Sequence, residues 1–125
     1  MNGEFMSVQE LKDHVLTVSG PLHADTLGVV LSHEHCLVDN SGVFNKPSTE
    51  SVDTIAYESL SLKNIGYVRY HLLDNLDNLM LLNEEEAISE LMLFKKAGGN
   101  TIVDATNDDI GRDPLALKRI SDATG

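Results

Sequence analysis

The chain has 125 residues, of which 42% are hydrophobic and 23% charged, a composition typical of one globular domain with one core. Its 20 acidic and 9 basic residues give a net charge of −11. This charge argues against a nucleic-acid backbone as a partner, which would call for a basic face, and disfavours an anionic membrane surface. The single cysteine excludes an internal disulfide, and no stretch reaches the ~20 apolar residues of a membrane span. Since no secretory signal is visible either, we expect a cytoplasmic location.

The first 35 residues predict a tail, a hairpin and a first core strand. Residues 1–13 are interpreted as a tail, and because Met6 is a second candidate start, we expect residues 1–5 to be an addition. Residues 14–19 (HVLTVS) alternate as a strand does and stop at a Gly-Pro pair. Together with the apolar run that follows, residues 14–35 predict an N-terminal β-hairpin and strand 1.

Strand 1 ends in two histidines separated by one residue, in the sequence GVVLSHEH at residues 28–35. Alternate side chains of a strand share a face, so we expect His33 and His35 to project together while Glu34 points away. Two imidazoles on one face can ligate one metal ion, at about 2.0–2.1 Å each for zinc. Histidines with ordinary hydrogen-bond partners, or at the surface, are the alternative. Cys36 is expected to face away as a packed thiol.

The middle of the chain changes character. Residues 39–82 show no steady period and are interpreted as a long excursion, of the kind that often forms a binding loop or lid. A helix is predicted over 83–98, because Asn83 can cap it, glutamates fill its first turn and lysines its last, and Gly98 stops it.

The last part of the chain predicts a second strand and a second helix. The β-branched run at 100–106 is typical of a strand buried on both faces of a parallel sheet. Residues 113–125 predict a helix with Asp113 as its cap. Strand, helix, strand and helix make two βα units, which indicates an α/β fold with a parallel sheet. Asp104 lies inside the strand, where its carboxylate either orients a ligating histidine or accepts hydrogen bonds from the backbone of the next turn.

Three stretches resemble the phosphotriesterase family of the amidohydrolase superfamily. They are residues 27–35 with the preceding 15–22, residues 90–106, and residues 109–113, which lead into the second helix. The resemblance implies a (β/α)8 TIM barrel with a binuclear divalent metal centre at the C-terminal ends of its strands. The chain would supply the first two βα units of that barrel, after the N-terminal β-hairpin.

The resemblance also implies a chemistry. His33 and His35 would bind the more buried of two metal ions, with zinc as the expected metal. A hydroxide bridging the two ions would attack the phosphoryl or carbonyl centre of a small-molecule phosphotriester, lactone or related ester. The loop after strand 2 lines the pocket in the family, so Ile110 is a candidate pocket residue, and Val38, just past the histidines, is a second.

The chain departs from the family in one large respect. A complete barrel of this type takes ~250 residues, and the carboxylated lysine, two further histidines and the last-strand aspartate have no position here. We therefore assign no catalytic residue and expect the chain alone to be inactive. We favour a segment of a full-length hydrolase. The alternatives are completion by a partner chain and an inactive oligomerising module whose sheet edge is covered by self-association.

Overall fold

The computed structural model describes residues 11–47 and 50–125, with the backbone alone for 50–53. The first ten residues of the predicted tail lie outside the described part. In chain order the elements are β1 (His14–Thr17), β2 (Gly20–His23), β3 (Val30–Glu34), β4 (Val38–Asp39), α1 (Glu50–Tyr57), α2 (Ile65–Val68), β5 (Met80–Leu81), α3 (Glu84–Lys96), β6 (Thr101–Asp104) and α4 (Pro114–Thr124).

The described strands form three separate pairs. β1 and β2 make an antiparallel hairpin, and β4 and β5 pair antiparallel at the base of the excursion. β3 and β6 pair in parallel, although the register is irregular between Leu31 and Glu34 on β3. The parallel pair, with α3 before β6 and α4 after it, is the α/β arrangement that the sequence predicts.

The two long helices cover one side of the chain and enclose its main core. Leu37, Ala116 and Ile120 are buried there, and Ala87, Ile88 and Leu91 of α3 pack against them. Fully burying a leucine or isoleucine side chain stabilises a fold by roughly 1.5–3 kcal/mol. The core therefore fixes the segment just after β3 against both helices.

Local signals set the ends of these helices. The Asn83 side chain accepts hydrogen bonds from two backbone N–H groups in the first turn of α3, and Asp113 caps α4 in the same way. α3 ends at Lys96, and Gly98 just beyond it has a φ of 98°, which an L side chain rarely adopts. The cap at Asn83 and the stop at Gly98 are as predicted.

The excursion is more ordered than its aperiodic sequence suggests, since it contains α1 and α2. The fully buried Asn75 joins two parts of it. Its side-chain NH₂ donates to the backbone carbonyls of Ile55 and Glu58, at 2.6 and 2.9 Å. Its side-chain carbonyl accepts from the backbone N–H of Asn78. This buried amide thus ties the end of α1 to the turn at Asn78, through contacts that no local periodicity in the sequence indicates.

The prediction that the strand at 100–106 is buried on both faces is wrong for the described chain. Val103 in β6 is 47% exposed and Val30 in β3 is 39% exposed. The physical reason is that each strand of this pair has one described neighbour, so one edge and part of a face lack cover. Within the described residues, no helix is long and apolar enough to cross a membrane.

Candidate functional site

The two predicted metal ligands lie side by side at the end of β3. The centroids of the His33 and His35 rings are 5.4 Å apart and the ring planes meet at 79°. With metal–nitrogen bonds of about 2.0–2.1 Å, two imidazole ligands of one tetrahedral ion have centroids roughly 5.2 Å apart. The register irregularity in β3 falls at this point, and such bulges commonly redirect side chains near a site. The separation therefore suits a shared ion.

The ring of His35 is held by one hydrogen bond. Its Nδ1 lies 2.9 Å from the hydroxyl of Thr106, and that hydroxyl donates to the carbonyl of Leu37 at 3.1 Å. A hydroxyl has one proton to give, so it accepts from His35, whose Nδ1 carries the hydrogen. Nε2 of His35 then keeps its lone pair, which is the form that a metal ion requires.

His33 offers a second nitrogen donor. It is exposed in β3, and the hydrogen bonds found among the described residues do not include its ring. The described side chains contain no group of three or more histidine, cysteine, aspartate or glutamate residues placed to hold a metal. The donor set thus fits a divalent ion as two of its ligands, whereas a catalytic zinc site takes three protein ligands.

Asp104 joins the ends of the parallel strands. Its carboxylate accepts from the backbone N–H of Cys36 and of Thr106, both at 2.9 Å. The bond from Thr106 is the alternative stated from the sequence, whereas the bond from Cys36 across the strand pair was not expected. Burial alone raises the pKa of Asp104, but the hydrogen bonds from Cys36 and Thr106 outweigh it and hold the pKa below its usual value. Its predicted effect on a ligating histidine would have to pass through Thr106.

Cys36 is a half-buried thiol, as predicted. Burial first, and then the charge of Asp104, raise the pKa of Cys36 to about 12. The thiolate, which is the form that binds metals, is therefore disfavoured.

The two candidate pocket residues lie apart from the described cavities. Val38 is buried in β4, and Ile110 is half-buried in the turn before α4. A groove of about 300 Å³ runs between β3 and α3 and is bordered by His35, but neither Val38 nor Ile110 lines it. Their role in a substrate pocket stays a prediction.

The other three histidines are engaged elsewhere. His14 and His23 face each other across the hairpin with ring centroids 5.2 Å apart. Nδ1 of His14 donates to the carbonyl of Lys12, whereas Nδ1 of His23 accepts from the N–H of Asp25. The two rings are thus opposite tautomers, of which His23 carries its hydrogen on Nε2, and this does not suit a shared ion. His71 hydrogen-bonds the carbonyl four residues before it.

Sequence reasoning missed Thr106. The one available signal was its place directly after an apolar strand, where polar residues of parallel sheets gather at sites. Its contact with His35 spans 71 positions, which no local pattern reveals.

Comparisons with known proteins support one family. The model of the phosphotriesterase family matches residues 13–125. An N-acetyltaurine hydrolase of Xenopus tropicalis is 36% identical over 119 residues, 94% of this chain and 34% of that protein. A phosphotriesterase-related protein of Nematostella vectensis is 40% identical over 111 residues, 86% of this chain and 32% of that protein.

A solved structure agrees with these relatives. A resiniferatoxin-binding protein from Rhodobacter sphaeroides superimposes with a TM-score of 0.86 at 35% identity, over 90% of this chain and 32% of that one. The chain spans about a third of the length of the relatives it matches. Its fold is a partial α/β unit like that of phosphotriesterase-like barrels. The chain belongs to the phosphotriesterase family.

Proposed function

We propose that this chain forms the first two βα units of a metal-dependent hydrolase and that His33 and His35 contribute two ligands to its metal centre. The observation that carries the proposal is the pair of rings 5.4 Å apart, in which the hydrogen bond from Nδ1 to Thr106 leaves Nε2 of His35 free. Family membership over residues 13–125 supports it. The remaining ligands would come from further sequence, in the same chain or in a partner.

The proposed chemistry is hydrolysis by activated water. His33 and His35 would hold a divalent ion, for which we propose zinc, and that ion would supply Lewis-acid activation of water and of the bond to be hydrolysed. The part of this chain is to hold and orient: Thr106 fixes the ring of His35, and Asp104 ties the strand ends together. The isolated chain is proposed to be inactive, because two ligands do not complete the centre. A cytoplasmic location belongs to the same proposal.

The proposed substrates are small-molecule esters, including phosphotriesters and lactones. The name of the N-acetyltaurine hydrolases among the relatives favours a second class, N-acyl amides. Both classes contain a carbonyl or phosphoryl centre open to hydrolysis by water, so the same two histidine ligands would serve either. The choice between them falls to pocket residues, for which Ile110 and Val38 are our candidates.

Zinc binding tests the proposal directly, and the chain provides its own control. Because two histidines are only part of the ligand set, we expect calorimetry at high zinc concentration to detect weak binding of one ion per chain. The double change His33→Asn and His35→Asn, which removes both ligands, should abolish it. The matched variant, His14→Asn with His23→Asn, removes a pair whose ring centroids lie at nearly the same separation and is expected to bind as the wild type does. Equal binding by the His33/His35 variant, or loss in the hairpin variant alone, would refute the assignment.

A further inference from the structure

We propose that Thr106 is a positioning residue that fixes His35 in the tautomer able to offer Nε2 to a metal ion. The inference deepens the proposed function and rests on it. Thr106 touches neither an ion nor a substrate in this account. It acts through the ring of His35 alone.

The hydroxyl proton of Thr106 is directed to the carbonyl of Leu37. Leu37 is buried, with 8% of its surface exposed, and its carbonyl lies 3.1 Å from the Thr106 hydroxyl. No other described donor reaches that carbonyl. A buried carbonyl left unpaired destabilises the fold, so the hydroxyl proton is committed to Leu37. At 2.9 Å from Nδ1 of His35, the hydroxyl oxygen can then only accept.

The hydroxyl of Thr106, which accepts from His35, is held in a rigid position. Thr106 is 5% exposed, and its β-branched side chain has few rotamers to choose from. Its backbone N–H donates to the carboxylate of Asp104, which also accepts from the N–H of Cys36, next to His35 in the chain. The hydroxyl and the imidazole are thus fixed relative to each other at the ends of β6 and β3.

The hydrogen bond to Thr106 determines which nitrogen of the His35 ring carries the hydrogen. A neutral histidine in water favours the hydrogen on Nε2, and that form cannot ligate through Nε2 until the proton leaves. By holding the hydrogen on Nδ1, Thr106 removes this competition before any ion arrives. His23 shows the opposite case, since its Nδ1 accepts a hydrogen bond and its proton is left on Nε2.

The test reads the tautomer without an ion present. Long-range ¹H–¹⁵N spectra of the metal-free chain, recorded above the titration range of histidine, distinguish a protonated from an unprotonated ring nitrogen. We expect wild type and Thr106→Ser to show His35 with the hydrogen on Nδ1, and Thr106→Val to show a mixture or the reverse. Zinc affinity should fall about 10–100-fold in Thr106→Val, the usual effect of losing a group that orients a ligand, and change little in Thr106→Ser.

A matched variant separates this role from a loss of stability. The hydroxyl of Thr101, also in β6, donates to the carbonyl of Leu27 at 2.7 Å. Thr101→Val therefore removes a similar hydrogen bond without touching His35, and it should leave the tautomer and the zinc affinity unchanged.

Each outcome decides between named alternatives. A wild-type His35 with its hydrogen on Nε2 overturns the proposal whatever the variants do, and so does a folded Thr106→Val that keeps the hydrogen on Nδ1. If the wild type shows the expected tautomer but binds no zinc, the proposed function fails and only the hydrogen-bond assignment stands. If zinc binds and Thr106→Val binds it equally well, the proposed function survives and the positioning role is rejected.

Discussion

At the level of single residues, Asp104 links the ends of β3 and β6 through its charged carboxylate. Its carboxylate accepts one hydrogen bond at each of the two strand ends, from the backbone N–H groups of Cys36 and Thr106. Hydrogen bonds to a charged acceptor are stronger than those between neutral groups. They therefore hold the pKa of Asp104 below its usual value, although burial opposes them. This carboxylate stabilises the fold only while it is ionised.

The first prediction concerns Asp104→Asn. Because the pKa is lower in the folded than in the unfolded chain, the stabilisation is complete above the unfolded value of about 3.9 and is lost as the pH falls through the folded value. We expect Asp104→Asn to lower the free energy of unfolding by about 1–2 kcal/mol at pH 7. The deficit should shrink below about pH 4. Urea denaturation at pH 7 and at pH 3 measures both values.

The control is Asp122→Asn, which removes an exposed carboxylate paired with Lys118 in α4. Exposed pairs of this kind contribute about 0.3–0.5 kcal/mol. An Asp104→Asn deficit no larger than that of the control, or one that grows in acid, would contradict the role given to Asp104.

At the level of elements, the end of α3 is the most constrained backbone near the core. The N–H of Gly99 donates to the carbonyl of Phe94 and that of Gly98 to Lys95, at 3.0 and 2.9 Å, the two hydrogen bonds of a Schellman motif. A Cβ added at Gly99 would lie 2.2 Å from the ring of Phe94. The motif thus needs glycine at 99 for space and at 98 for its positive φ.

The second prediction is that Gly99→Ala lowers the free energy of unfolding by roughly 1–3 kcal/mol, because the ring of Phe94 has to move. A Cβ at Gly42 would meet nothing within 4 Å, so Gly42→Ala should change stability by less than about 0.5 kcal/mol. Thermal denaturation of the two variants compares them. If Gly99→Ala is as stable as Gly42→Ala, the packing at the end of α3 is looser than described.

Elements with local signals could be predicted from sequence, and those held by distant contacts could not. Asn83 and Gly98 mark α3 within a few positions of each end. The end of α1 is held instead by Asn75, whose partners Glu58 and Ile55 lie 17 and 20 positions away. At the site, the alternation of side chains along a strand was enough to predict that His33 and His35 lie close together. The role of Thr106 follows only from the pairing of β3 with β6.

At the level of the whole molecule, exposed apolar side chains favour association between copies of the chain, and the net charge opposes it. Several large apolar side chains are strongly exposed, including Leu16 at 84%, Leu62 at 96% and Leu115 at 71%, and β3 and β6 each have one described neighbour. Exposed surface of this kind favours association. A net charge of −11 resists it by repulsion between copies.

The third prediction is that the 125-residue chain self-associates and does so more strongly as salt is added. Raising the ionic strength from about 0.01 M to about 1 M shortens the screening length from roughly 30 Å to roughly 3 Å. The repulsion then fades while the hydrophobic contact remains. Sedimentation at the two salt concentrations measures this. A monomer under both conditions, or dissociation on adding salt, would rule out self-association as the cover for these faces.

Of all measurements, a zinc titration followed through the histidine ring resonances tests the central claim most directly. We expect the signals of His33 and His35 to shift together and to saturate at one zinc ion per chain. The signals of His14, His23 and His71 should stay in place. If His14 and His23 respond first, or if His33 and His35 respond at different zinc concentrations, the two imidazoles at the end of β3 do not share an ion.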